Sequence, residues 1–204
     1  MTTLPPDLAE GTRATYERHA VAFDQHRHRV LTERKWLDRL LALCPPNLPL
    51  LDVGCGAGEP IARYLIDAGR VVVGVDFAES MLELCRARFP DQRWISGDMR
   101  QLELGELFGG VVAWDSFFHL TRNEQRTTLP RLARHTASGG VLLFTCGPHD
   151  GEVVGTVEGE PVYHSSLSPA EYASLLEREG FVIEAFVAED PDCDSHTVCL
   201  ARRR

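Results

Sequence analysis

The 204-residue chain is short of positive charge, of aromatic residues and of long apolar runs, and each shortage excludes something. Lysine and arginine number 21 against 30 aspartates and glutamates, a formal net charge of -9. An acidic surface with no segregated basic patch repels nucleic acid and anionic membrane, so neither is expected as a partner. The one local basic run, Arg202 to Arg204, reads as a solvated tail. No segment is apolar for long enough to cross a bilayer. The stretch Met1 to Arg13, with Pro5, Pro6, Asp7 and Glu10, has no apolar core of a secretory leader. The six cysteines (Cys44, Cys55, Cys85, Cys146, Cys193, Cys199) contain no C-x-x-C pair, which argues against zinc, or any metal, and for reduced thiols in the cytoplasm. With 44% hydrophobic residues the chain holds enough apolar surface for one domain that needs neither disulfide nor metal.

The apolar residues alternate along the chain between helical spacing and short buried-strand runs, the signature of an α/β domain. Helices are expected over Thr12 to Gln25 and Val30 to Leu43, the second ended by Pro45 and Pro46. Residues 1–46 then form a helical cap on a single domain, 1–204. Strands are expected at Leu48 to Val53, Val71 to Val75, Arg93 to Ser96, Gly110 to Trp114, Val141 to Thr145, Phe181 to Ala188 and His196 to Ala201. The unbroken Val71-Val72-Val73 suits a strand covered on both faces, as in a parallel sheet. Thr121 with Glu124, and Ser168 with Glu171 and Pro169, have the spacing of helix N-termini; Pro130 should kink or split the first helix and Gly180 should stop the second. Residues 146–167 follow neither period and read as an excursion over the sheet.

The most informative segment is Leu50-Leu51-Asp52-Val53-Gly54-Cys55-Gly56-Ala57-Gly58-Glu59-Pro60, a buried strand ending in glycines that open a helix. Such a turn lets a ligand lie against bare backbone. A dinucleotide fingerprint would need glycine where Glu59 stands, and a carboxylate at a helix entrance opposes a pyrophosphate. Asp76, at the end of the second strand, is placed to accept from the ribose hydroxyls of an adenosine. Asp98, closing the third, is placed to accept from an adenine amino group between Phe77 and Met99.

These residues, together with the strand Val111 to Trp114, resemble the successive motifs of the class I S-adenosylmethionine-dependent methyltransferases. The resemblance implies a Rossmann-like seven-stranded sheet, mostly parallel with the last strand antiparallel, and helices on both faces. It also implies S-adenosylmethionine as cofactor, with Gly54, Gly56 and Gly58 near its methionine part, Asp76 on ribose, and Asp98 and Met99 on adenine. Asp52, Phe77, Met81 and Trp114 complete the implied cofactor set. The pattern Tyr16, His19, Phe23, Arg27 is similar to the family's first helix, which folds over the cofactor, and Tyr16 is its expected contact.

For the acceptor the resemblance implies less. The stretch Trp114-Asp115-Ser116-Phe117-Phe118-His119 lacks the Asn/Asp-Pro-Pro-aromatic pattern of nucleobase and glutamine N-methyltransferases, which favours a small molecule methylated at N, O or S by in-line displacement. His119, with an ordinary pKa of about 6.5, suits a general base or a packing residue beside the cofactor. Residues 146–167 suit either a solvated hairpin or a lid over the acceptor, the lid with His164 as a second catalytic candidate and, together with the turn after the fourth strand, Asp115, Phe118, His149 and Tyr163 as substrate contacts. A non-catalytic cofactor-binding protein and an NAD-dependent oxidoreductase are the alternatives. Oligomeric state is left open.

Overall fold

The computed structural model describes residues 6–204, so the Met1 to Pro5 part of the N-terminal reading lies outside the described residues. Apolar runs that alternate sides of the backbone need cover on both faces, and the chain supplies it with helices. In order it forms α1 (Pro6–His26), α2 (Arg34–Leu43), β1 (Leu50–Val53), α3 (Ile61–Asp67), β2 (Val72–Asp76), α4 (Glu79–Arg88), β3 (Arg93–Ser96), β4 (Phe108–Ala113), α5 (Arg122–His135), β5 (Thr136–Cys146), β6 (Gly151–Val157), β7 (Glu160–Ser166), α6 (Pro169–Arg178), β8 (Phe181–Asp190) and β9 (His196–Arg203). Short 3-10 turns at Met99–Gln101 and Phe117–His119 follow β3 and β4.

Seven strands make one sheet in the order β3-β2-β1-β4-β5-β9-β8. The first five are parallel; β9 runs antiparallel between β5 and β8. This is the expected Rossmann-like sheet. Every residue of β1, β2 and β4 is buried. Leu50, Val72, Val112 and Leu143 face Leu37 and Leu40 of α2, Ile61 and Leu65 of α3, and Leu82 and Cys85 of α4. Leu51, Val73, Val111, Leu142 and Phe144 face Leu129 and Leu132 of α5 and Tyr172, Leu175 and Leu176 of α6. Each fully buried leucine stabilises the fold by roughly 1.5–3 kcal/mol, so these two layers fix the strand ends from which the site projects.

Thr121 and Glu124 form both hydrogen bonds of a capping box, and Ser168 caps α6 with Pro169 in its first turn. Gly180, at φ +82°, lies just beyond the end of α6. Three expectations change. α5 runs through Pro130 unsplit, with Leu129, Leu132 and Ala133 buried against the sheet on either side of the lost hydrogen bond. β5 begins at Thr136 rather than Val141, because Thr136 pairs with Phe108 across an irregularity in the β4 register. Residues 151–166 are a regular hairpin, β6 paired with β7 residue for residue from Gly151↔Ser166 to Val157↔Glu160. Its two-residue turn is Glu158-Gly159, both at positive φ, the geometry that suits the right-handed twist of two antiparallel strands.

Candidate active site

The carboxyl ends of β1, β2 and β4 open into one cavity, about 740 Å³ with its mouth included, and α1 lies across it. From the strand ends and the turns after them come Asp52, Gly54, Cys55, Gly56, Asp76, Phe77, Met99, Trp114, Asp115, Ser116 and His119; from α4 comes Met81, and from α1 come Tyr16, Phe23, Asp24 and Arg27. α1 is held in place at two points. Asp24 is buried and paired with Arg88 of α4, whose guanidinium keeps that carboxylate below the usual range. At the other face, Glu160 at the start of β7 binds Arg18 and His19, and Glu158 binds His26.

The glycine turn divides its labour. At Gly54, with φ +73°, a Cβ would lie 2.3 Å from Ser116 Cβ, and Ser116 Oγ itself donates to Val53 O at 2.7 Å. Gly56, at φ +52°, has open space where a Cβ would be, so its bare backbone faces the cavity. Gly58 faces away: a Cβ there would meet Phe89 at 2.9 Å and Cys85 at 3.3 Å, and the residue packs against α4. Asp76 accepts from the amides of Gly56 and Ala78, both at 2.9 Å. Burial pushes its pKa up, and those amides oppose the shift.

Asp52 is 3% exposed, and no hydrogen bond from the described residues reaches its carboxylate. Burial, reinforced by the neighbouring Asp76 and opposed by Arg27, pushes its pKa up to about 7. A buried carboxylate without a donor costs free energy until a cation or donor arrives. Glu59 also lines the cavity, but Arg63 Nε of α3 lies 2.6 Å from its carboxylate, so the charge expected to repel phosphate there is balanced by the following helix.

Asp98 lies outside this cavity. With Phe77, Met99, Arg13 and Arg100 it lines a second hollow that shares Phe77, Met99, Ser116 and His119 with the first. Its carboxylate is gripped by Arg100, at 2.6 Å from Nη2.

His119 has a defined protonation pattern. The Tyr163 carbonyl can only accept, so His119 Nδ1, 3.0 Å away, carries the proton. Nε2 then holds the lone pair, which takes the Tyr16 hydroxyl proton at 2.9 Å. Burial lowers the pKa of His119 to about 4. It is thus a neutral acceptor at neutral pH. His164 packs against both His119 and Phe118, at ring separations of 4.8 and 4.6 Å. It lies over Gly155, where a Cβ would be 2.4 Å from its ring; burial lowers its pKa too.

His164, Phe118 and His149 line a third cavity of about 830 Å³, between the hairpin and the start of β9. Tyr163 does not: its hydroxyl donates to Glu152 at 2.8 Å on another side of β7, and only its carbonyl touches the site. Asp115 joins the cavities. Its side chain lines the first, and its Oδ1 accepts at 2.9 Å from Nε2 of His196, which lines the third. Sequence reasoning missed His196 and Asp24. Nothing local marks His196; only the pairing of β9 with β5 brings it within reach of a residue 81 positions earlier.

Among the described residues, no group of three or more His, Cys, Asp and Glu side chains is placed to hold a metal ion, and no helix is long and apolar enough to cross a membrane. All six cysteines are buried and free.

Residues 50–140, from β1 into the start of β5, match the family described as "Methyltransferase domain". That match takes in the glycine turn, Asp76 and the turn after β4. Over 101 residues the chain is 37% identical to the dTDP-3-amino-3,6-dideoxy-alpha-D-glucopyranose N,N-dimethyltransferase of Streptomyces fradiae, across 48% of this chain and 39% of that one. Over 113 residues it is 34% identical to the malonyl-[acyl-carrier protein] O-methyltransferase of Pectobacterium atrosepticum, across 52% of this chain and 42% of that one. The chain thus spans about two fifths of the length of these curated relatives. Its fold matches that of SAM-bound CalS10, an amino pentose methyltransferase from Micromonospora echinaspora, with a TM-score of 0.69 at 22% identity over the whole of both chains.

Proposed function

We propose that this chain is an S-adenosylmethionine-dependent methyltransferase acting on a small-molecule acceptor. The observation that carries the reading is Asp52, a buried carboxylate with no donor, facing a cavity whose floor is the bare backbone of Gly56. The cavity fits the cofactor at each end. Asp52 receives its ammonium group and Arg27 its carboxylate, beside the glycine turn. Asp76 takes the ribose, and the adenine lies between Phe77 and Met99 toward Asp98. Met81 and Trp114 supply apolar walls, and Tyr16 closes the cavity from α1.

When bound, S-adenosylmethionine supplies a methyl group already activated on a sulfonium. The chain's task is then alignment and exclusion of water. His119 stays neutral and holds the Tyr16 hydroxyl, so it orients the wall beside the methyl position rather than acting as a strong base. The acceptor enters through the cavity lined by Phe118, His149, His164 and His196, under the β6–β7 hairpin, which acts as the lid. No basic surface for nucleic acid is involved in this reading. Calorimetry with S-adenosylhomocysteine tests it: micromolar binding is expected, and NAD binding without it would replace the proposal by an oxidoreductase.

A further inference from the structure

Asp115 and His196 stand where the cofactor cavity meets the acceptor cavity, and both are fixed. The Asp115 amide donates to Thr145 Oγ1 at 2.9 Å, and the backbone is left-handed at φ +48°. His196 Nδ1 lies 2.8 Å from the Cys193 carbonyl, which can only accept, and Nε2 lies 2.9 Å from the Asp115 carboxylate. Both ring nitrogens must therefore carry protons, and the pair is an imidazolium bonded to a carboxylate. One carboxylate oxygen, Oδ1, is used in this way. The other, Oδ2, has only the Arg27 guanidinium at 3.8 Å, beyond hydrogen-bond reach.

The acceptor cavity carries no lysine or arginine among its described lining residues. Its one cation, His196, is neutralised by Asp115, while Glu189 and Asp194 also line it. A carboxylate or phosphate entering at this end meets no free positive charge, whereas an ammonium is attracted.

We propose that Asp115 Oδ2 is the residue atom that receives the acceptor's N–H, with His196 as the positioning residue that holds it, so that the acceptor is a primary or secondary amine. This deepens the function proposed above and rests on it. The entering ammonium first gives one proton to water at the cavity mouth; the amine that remains donates one N–H to Oδ2 and keeps its electron pair free for the methyl carbon. As the nitrogen–carbon bond forms, the carbon–sulfur bond breaks with its electrons on sulfur, and the excess proton on nitrogen leaves along the N–H bond that Oδ2 accepts.

The test uses three probes of one shape: cyclohexylamine, cyclohexanol and cyclohexanecarboxylate. Each is titrated into the S-adenosylhomocysteine-treated protein while the His196 ring ¹⁵N signals are followed. Cyclohexylammonium is expected to shift them, binding at least tenfold more tightly than the other two. Read by calorimetry, His196→Ala should weaken that binding about tenfold, and His196→Gln, whose amide can still donate to Asp115, should restore most of it; thermal melting shows that both variants fold. No shift with the ammonium, equal or tighter binding of the carboxylate or the alcohol, or an alanine variant that binds like the wild type overturns the proposal. Failure of S-adenosylhomocysteine itself to bind, read by calorimetry on the same sample, overturns the cofactor reading instead.

Discussion

The Tyr16 hydroxyl donates to His119 Nε2 across 103 residues of chain, at 2.9 Å, and so joins the helix over the cavity to the turn after β4. With Nδ1 bonded to the Tyr163 carbonyl, both edges of the imidazole are used, one by α1 and one by the hairpin.

His119 should therefore be neutral, with its proton on Nδ1, at pH 6. Burial disfavours the imidazolium, so the group gains its charge only as pH falls toward about 4. Ring ¹⁵N shifts of His119 check this. An imidazolium at pH 6 would contradict it. Tyr16→Phe leaves Nε2 without its donor and should cost about 1 kcal/mol of stability, measured by denaturant unfolding.

On the proposed reading, Asp52 should make cofactor binding depend on pH. Its native pKa of about 7 is above the ordinary 3.8, so the folded chain keeps a proton that the unfolded chain loses between those values. Stability contributed by that proton is present at low pH and is lost as pH rises through about 7. The ammonium of the cofactor needs the ionised form, so S-adenosylhomocysteine affinity should rise between pH 6 and pH 8. Asp52→Asn should flatten that rise and weaken binding, yet stabilise the unliganded protein at pH 8 by on the order of 3 kcal/mol. Paired calorimetry and melting curves at the two pH values read both effects.

Two glycines of the same turn should fail differently on substitution by alanine. Gly54→Ala drives a Cβ into Ser116 and should destabilise the fold by more than about 2 kcal/mol, backbone strain included. At Gly56 the added methyl meets no protein atom within 4 Å. That variant should fold with a cost of about 1 kcal/mol and lose cofactor binding because the methyl stands in the cavity. Melting and calorimetry separate the two.

The strap between hairpin and helix should govern motion more than stability. Glu160 binds Thr15, Arg18 and His19 from an exposed position. Glu160→Gln should leave the melting temperature nearly unchanged and speed amide hydrogen exchange in both α1 and the hairpin. Unaltered exchange in α1 would show that the Asp24–Arg88 pair alone holds the helix.

Much of this was written in local sequence. β1, β2 and β4 were legible because strands covered on both faces read as unbroken apolar runs, and both capped helices because their first turns carry the required Thr, Ser and Glu. The bounds of the hairpin's two strands escaped because β6 faces solvent and shows no apolar alternation; Val153 and Val154 are adjacent and 61% and 49% exposed. Its turn pair Glu158-Gly159 was the available signal. In the site, residues at strand ends such as Asp52 and Asp76 were readable from their place after an apolar run. Gly58 shared the motif's spacing but packs under Phe89, which only the approach of α4 decides. The Asp115–His196 pair was invisible for the same reason: it exists only once β9 inserts beside β5.

The central claim, that the cavity under α1 holds S-adenosylmethionine through an unpartnered Asp52, is tested most directly by titrating S-adenosylhomocysteine into the wild-type chain and into Asp52→Asn at pH 8. The account predicts micromolar binding by the first and at least tenfold weaker binding by a second that melts no lower. Equal affinities, or no binding by the wild type, would contradict it.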